Sequence, residues 1–208
     1  MSHNIIQTYQ NQIENKPLPK GQKKVLIAAI KLFSQQGFDG TSTAQIAEKA
    51  GVSQATIFKY FKTKDQLLLE SLEAMTELLQ EEFTHSFLEK KTLEDLVHFI
   101  VFDRFDLVEA NSDLFKILIQ ELPINLQIQQ LGSDIVLALF SKLTPHLRTL
   151  GQTDPTFDDS LSDESIRRIF IGQLASYFIP SLFFQTSKNK RQADLEEIEG
   201  LILKCLRK

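Results

Sequence analysis

Between Ala50 and Lys64 the chain carries Gln54, Ala55, Thr56, Lys59, Lys62 and Lys64, and no acidic residue at all. Short amides, hydroxyls and methyls of this kind reach base edges. Lysine ammonium groups reach phosphate oxygens, or the O6 and N7 atoms of guanine. A helix face that is merely solvated mixes in Glu or Asp, so the missing acids favour a nucleic-acid surface. The plain alternative is an amphipathic bundle with a chance turn and no DNA role.

Such a face needs a scaffold to aim it. Residues 23–36 read as a supporting helix, with Leu26, Ala29, Ile30 and Phe33 on one side and Gly37 as its C-cap. The run Gly40-Thr41-Ser42-Thr43 then supplies a hydroxyl cap for a short helix over residues 44–50. Gly51-Val52 makes a tight turn, and Ser53 caps a third helix over residues 54–61. Two helices crossing at a helix-turn-helix angle need a small residue at closest approach and a turn residue that tolerates positive φ. Ala47 and Gly51 fit those needs, while Ile46, Ala50, Val52, Ile57 and Tyr60 fall at the inward positions.

Charge divides the chain in the same place. Residues 16–64 carry nine lysines against Asp39 and Glu48, a balance of +7, whereas residues 65–208 carry 14 Lys and Arg against 24 Asp and Glu, a balance of −10. A basic head on an acidic body is what a DNA-binding module on a non-binding domain would show. The 208 residues suffice for a core without disulfide or metal, and the one cysteine, Cys205, fits a reducing cytoplasm. Residues 1–19 have no apolar signal-peptide stretch and are expected to be a mobile tail. The uncharged run over 169–187 is interrupted by Pro180 and several polar residues, which favours a buried helix over a membrane span.

The body reads as helix after helix. Leu68, Leu72, Met75, Leu79, Phe83 and Phe87 repeat at helical spacing, predicting one long helix from about residue 64 to 88. Further helices are expected over 92–110, 112–121, 125–149 (interrupted near Gly132), 163–187 and 193–206, with an exposed loop over 151–162. Leu195, Ile198, Ile202 and Cys205 form one late apolar stripe, and Ile166, Phe170, Tyr177 and Phe184 another. Stripes of this kind serve an intrachain core as well as a dimer face.

The stretch KKVLIAAIKLFSQQGFDGTSTAQIAEKAGVSQATIFKYFKTKDQLL, residues 23–68, resembles the amino-terminal DNA-binding domain of the TetR family of transcriptional regulators. The likeness rests on Ala28-Ala29 and Phe33, Gly37-Phe38, Thr43 before Ile46-Ala47, Ala50-Gly51-Val52-Ser53, and Tyr60-Phe61 followed by Lys64 and Leu67. It implies an all-α homodimer, with a three-helix helix-turn-helix domain over 20–64 and a larger helical domain over 65–208 for effector binding and dimerisation. In that family the last two helices pair with the partner's. By position, the resemblance makes Ser42, Thr43, Ser53, Gln54, Ala55, Thr56, Lys59, Tyr60 and Lys64 the DNA-contacting set, with hydroxyls, backbone amides and lysines on phosphate. Phe58 stands where the family commonly has tyrosine; lacking a hydroxyl, it is expected to keep a packing role.

The expected function is a ligand-responsive transcriptional regulator. It is read as a repressor that binds a pseudo-palindromic double-stranded operator and is released by a small apolar or amphipathic effector. A pocket for that effector would be lined by Phe99, Phe102, Phe105, Ile117, Glu121, Phe140, Leu174, Tyr177 and Phe178. Arg104 and Glu121 sit among apolar residues and need partners if buried. The alternative keeps the DNA-binding head and places the body under the control of a protein partner. Without a nucleophile elbow, phosphate loop or metal-protease motif, and with its four histidines scattered, the chain is not expected to be an enzyme or to hold a metal or cofactor.

Overall fold

The computed structural model describes residues 5–184 and 187–208, without the side chains of residues 5, 75, 77–79, 81, 82, 188 and 189. The chain is all-helical, with α1 (Ile5–Asn15), α2 (Lys20–Gln36), α3 (Thr43–Ala50), α4 (Gln54–Tyr60), α5 (Lys64–Leu88), α6 (Leu93–Ala110), α7 (Ser112–Glu121), α8 (Leu126–Gly151), α9 (Asp163–Ser181) and α10 (Lys188–Leu206). Among the described residues the extended pairing is one antiparallel bridge, between Phe157 and Arg207. No helix of the described residues is long and apolar enough to cross a membrane.

The helices form two compact units, Met1–Leu79 with Asn111–Ser133, and Gln80–Ala110 with Asp134–Lys208. This departs from the expected division at residue 64. The first part of α5 and the whole of α7 join α2, α3 and α4, because α7 packs on α2 and buries Leu114 and Ile117 in that unit.

In the first unit α2 buries Val25, Leu26, Ala28, Ala29, Ile30 and Phe33 as its core face. The expected mobile tail is corrected over Ile5–Asn15, which forms α1 and packs on α2 through the fully buried Tyr9 and Ile13. The spacing of Ile6, Tyr9 and Ile13 is helical and is masked in the sequence by the polar residues around it. Residues 1–4 of that expected tail lie outside the described residues. α3 and α4 meet through Gly51, whose φ of 64° is left-handed, so the turn suits a residue without a Cβ.

In the second unit α6 packs against α9 and α10 around a core that includes Phe87, Val101, Leu147, Phe170 and Ile202. Burying one such side chain contributes about 1.5–3 kcal/mol, so a core of this kind needs no covalent staple. Leu195, Ile198 and Ile202 are buried as one seam; the seam closes on Leu206, while Cys205 is exposed. Of the other stripe Ile166 and Phe170 are buried, Tyr177 is half-buried and Phe184 is exposed.

The last three helices differ from expectation. α8 runs unbroken through Gly132 and carries Pro145 inside it, since a single helical glycine costs only about 1 kcal/mol relative to alanine. α9 ends at Ser181, directly after Pro180, and α10 begins at Lys188 with Ser187 as its N-cap. Residues 185 and 186, which the expected helix included, lie outside the described residues. In α5, Leu68, Leu72, Phe83 and Phe87 are buried as expected; the side chains of Met75 and Leu79 lie outside the described set.

Candidate nucleic-acid interface

Both short helices of the reading pair are capped by their own serines. Ser42 Oγ accepts the Gln45 amide at 3.2 Å and Gln45 Oε1 accepts the Ser42 amide at 2.8 Å, a reciprocal capping box that fixes the start of α3 beside Thr43. Ser53 Oγ accepts the Thr56 amide at 3.1 Å and shares a second bond with the Thr56 hydroxyl at 2.9 Å. The remaining amides at each helix start carry the positive end of the helix dipole, which favours an anion.

Ile57 is buried and points α4 into the unit, and that orientation decides what faces out. Gln54, Ala55, Phe58 and Lys59 are all exposed, at the i, i+1, i+4 and i+5 spacing of a single helix face. Thr56 and Tyr60 are half-buried. Lys59 Nζ lies 5.4 Å from the centre of the Tyr60 ring. The start of α2 closes the far side of α4, where a Cβ on Gly21 would stand 3.3 Å from the Tyr60 ring.

Phe58 corrects an expectation. It is 51% exposed and does not pack in the core, because the helical register that buries Ile57 turns Phe58 outward between Ala55 and Lys59. Sequence reasoning passed over it as a binding residue, although its spacing from Gln54 was a sufficient signal.

Lys64 also takes an unexpected position. It stands at the first position of α5 as expected, but its Nζ donates to the carbonyl oxygens of Phe38 at 2.8 Å and Thr41 at 3.1 Å, and lies 4.1 Å from the centre of the Phe38 ring. Two of its three donors therefore fasten the loop between α2 and α3, leaving one for a phosphate.

The expected effector residues separate. Phe105 and Phe140 belong to the buried core cluster of the second unit and Phe99, Phe102, Leu174, Tyr177 and Phe178 pack against it half-buried, with the Phe105 ring 5.7 Å from Tyr177 and 6.0 Å from Phe178. Ile117 and Glu121 do not join them; both lie on α7 in the first unit. Sequence order hides this, since the chain leaves the second unit at residue 111 and returns at 134. Within the second unit Tyr177 Oη is buried beside Asp194, and burial together with that carboxylate raises the phenol above its ordinary range. Arg104 pairs with Asp103 and lies 3.7 Å over the Phe83 ring, which accounts for a cation among apolar residues.

Glu121 is only 6% exposed. It lines an open cleft of about 490 Å³ in the first unit together with Phe38, Asp39, Asp65, Ile124, Asn125, Leu126 and Gln127. Burial pushes its carboxyl above the usual glutamate range; the negative charges of Asp39 and Asp65 add to this and Lys64 opposes it. Three separate segments supply the cleft, so no local spacing announces it in the sequence.

Comparison with known proteins agrees with this architecture. Residues 25–71 match the family model of bacterial regulatory proteins of the tetR family. The chain is 29% identical to the HTH-type transcriptional regulator YvkB of Bacillus subtilis over 77% of its own length and 82% of that protein's. It is 25% identical to the fatty acid metabolism regulator protein of the same organism, over 54% and 59% of the two chains. In fold it is similar to the Bacillus subtilis regulator FadR in complex with stearoyl-CoA, with a TM-score of 0.69 at 21% identity over 88% of this chain and 96% of that one. With its capped helix-turn-helix and acid-free reading face, the stretch over residues 25–71 is a DNA-binding domain of the tetR type, and the proteins the chain is similar to are transcriptional regulators.

Proposed function

We propose that the protein is a homodimeric repressor that binds a pseudo-palindromic operator through α4 and leaves it when a small apolar or amphipathic effector occupies the second unit. The observation that carries this reading is the outward face of α4, where Gln54, Ala55, Phe58 and Lys59 stand exposed with no acid among them. Gln54 would address base edges and Phe58 a thymine methyl. Lys59 would take guanine or phosphate, and Ser42, Thr43, Ser53, Thr56, Tyr60 and Lys64 would hold the backbone beside them.

One short helix buries little surface, so useful affinity calls for two of them about 34 Å apart, or a multiple, on a symmetric site. The exposed Ile171 and Ile179 on α9 and Leu201 on α10 offer an apolar surface for that pairing. An effector among Phe102, Phe105, Leu174 and Phe178 would meet apolar side chains together with the buried Tyr177 hydroxyl, a combination that suits an amphipathic molecule. The stearoyl-CoA held by the Bacillus subtilis neighbour is an example of that chemistry and the natural first probe.

The test is a fluorescence-anisotropy titration against DNA from upstream of the protein's own gene and against a scrambled duplex, at several salt concentrations and then with added stearoyl-CoA. Sequence-dependent binding with a salt slope of several phosphates is the expected result. Equal, weak binding to both duplexes would defeat the operator assignment. Operator binding that no apolar or amphipathic effector alters would defeat the effector half, because a ligand shifts only an equilibrium whose two states it binds unequally.

A further inference from the structure

The cleft around Glu121 is lined by residues of the first unit and has chemistry of its own. Glu121 is the last residue of α7, where the helix carbonyls already disfavour a negative charge. Its side chain is more than nine-tenths buried and makes no hydrogen bond or ion pair to a described residue. Asp39 and Asp65 line the same cleft. The cation facing these three carboxylates is Lys64, whose ammonium is already turned to the carbonyls of Phe38 and Thr41. By formal charge the three carboxylates and Lys64 sum to about −2, and the Glu121 carboxylate faces the open cleft without a protein donor among the described residues.

A metal ion does not fit this deficit, since no group of three His, Cys, Asp or Glu among the described residues is placed to hold one. Beside the carboxylates Ile124 and Leu126 line the cleft as an exposed apolar pair, 76% and 77% exposed. Positive charge next to apolar surface is therefore what the cleft lacks, and its volume falls within the range of small-molecule sites.

We propose that the cleft formed by the α2–α3 loop, the first turn of α5 and the α7–α8 connection binds a small amphipathic organic cation, its ammonium held by Glu121 in the negative field of Asp39 and Asp65 and its apolar part laid on Ile124 and Leu126. The ammonium supplies the donors that Glu121 lacks and cancels the repulsion among the three carboxylates. The alkyl part covers the two exposed side chains. Because Glu121 retains its proton to higher pH than an ordinary glutamate, the cation competes with that proton and binds more tightly as Glu121 ionises. The site lies in the same unit as α3 and α4, so its ligand is positioned to bias the reading helices without entering the second unit.

The experiment is isothermal titration of the full chain with n-octylammonium chloride, with octanoate and octyl glucoside as matched controls. One saturable site per chain is expected for octylammonium, and neither control should match it. Glu121→Gln should weaken binding by ~10-fold or more, and Ile124→Ser, a change at an exposed position, by several-fold. Affinity should also fall as pH is lowered and Glu121 takes up its proton. Absence of saturation, octanoate binding as well as octylammonium, or full affinity in Glu121→Gln with circular dichroism unchanged would each overturn the proposal. No DNA is present in this measurement, so a negative result leaves operator recognition untouched, and failure to bind an operator leaves this site untouched.

Discussion

Lys64 Nζ holds Phe38 twice, as a donor to its carbonyl oxygen at 2.8 Å and as a cation 4.1 Å from the centre of its ring. The first residue of α5 thereby ties down the loop that delivers Ser42 and Thr43 to the start of α3. Lys64→Met keeps the aliphatic stem and removes the ammonium, leaving the carbonyls of Phe38 and Thr41 without it. A loss of about 1–2 kcal/mol in stability is expected, read as a lower urea midpoint at constant slope, with a parallel drop in DNA affinity. If DNA affinity falls while the urea midpoint stays put, Lys64 acts on phosphate and not on the loop.

α1 is docked structure, and Ile13 is its anchor. The side chain is fully buried against α2, so Ile13→Ala should cost about 2–4 kcal/mol, whereas a truncation in a mobile tail costs nothing measurable. Urea unfolding of the single variant distinguishes the two cases.

Lys59 stands exposed on the outer face of α4. Lys59→Ala should lower operator affinity by ~1–3 kcal/mol if the ammonium reads a guanine, and should flatten the salt slope by about one unit if it sits on phosphate. Anisotropy titrations at four salt concentrations separate these roles, and an unchanged titration in both respects would remove Lys59 from the interface.

Phe58 carries a sharper expectation because its ring has no polar atom to offer DNA. Contact with a thymine methyl is the interaction open to it in the major groove, so substituting deoxyuridine for thymidine at one half-site position should cost ~1 kcal/mol with the parent chain and nothing with Phe58→Ala. A uridine penalty that survives the mutation would assign the methyl contact to another residue.

Glu121 gives the first unit a pH dependence of definite sign. Its carboxyl holds a proton more tightly folded than unfolded, because burial and the charges of Asp39 and Asp65 oppose its ionisation more strongly than Lys64 favours it. The native state therefore carries more protons than the unfolded chain, and this group's contribution to stability falls as pH rises from the ordinary glutamate range to its own raised one. Glu121→Gln should remove that decline, stabilising the chain at neutral pH and leaving acidic stability unchanged, as followed by urea midpoints across pH. A variant less stable than its parent at neutral pH would mean that the ionised carboxylate has a favourable partner.

The sequence by itself determined the reading head and the helical class. Those signals are local: a cap, a turn glycine, a small residue four positions earlier and an apolar face at helical spacing each act within one or two turns, and α2, α3 and α4 appear where they were expected. It also marked Glu121 and Arg104 as polar residues in need of partners. Tertiary structure decided what lay beyond that range. It docked α1 through Tyr9 and Ile13, turned Phe58 out and Lys64 inward, and drew α7 into the first unit, away from the aromatic cluster with which Ile117 and Glu121 had been grouped. It also brought Asp39, Asp65 and Glu121 to one cleft from three distant segments. Periodicity states which face of a helix must be covered but not what covers it, because burial free energy is non-directional and only the packed arrangement selects the partner.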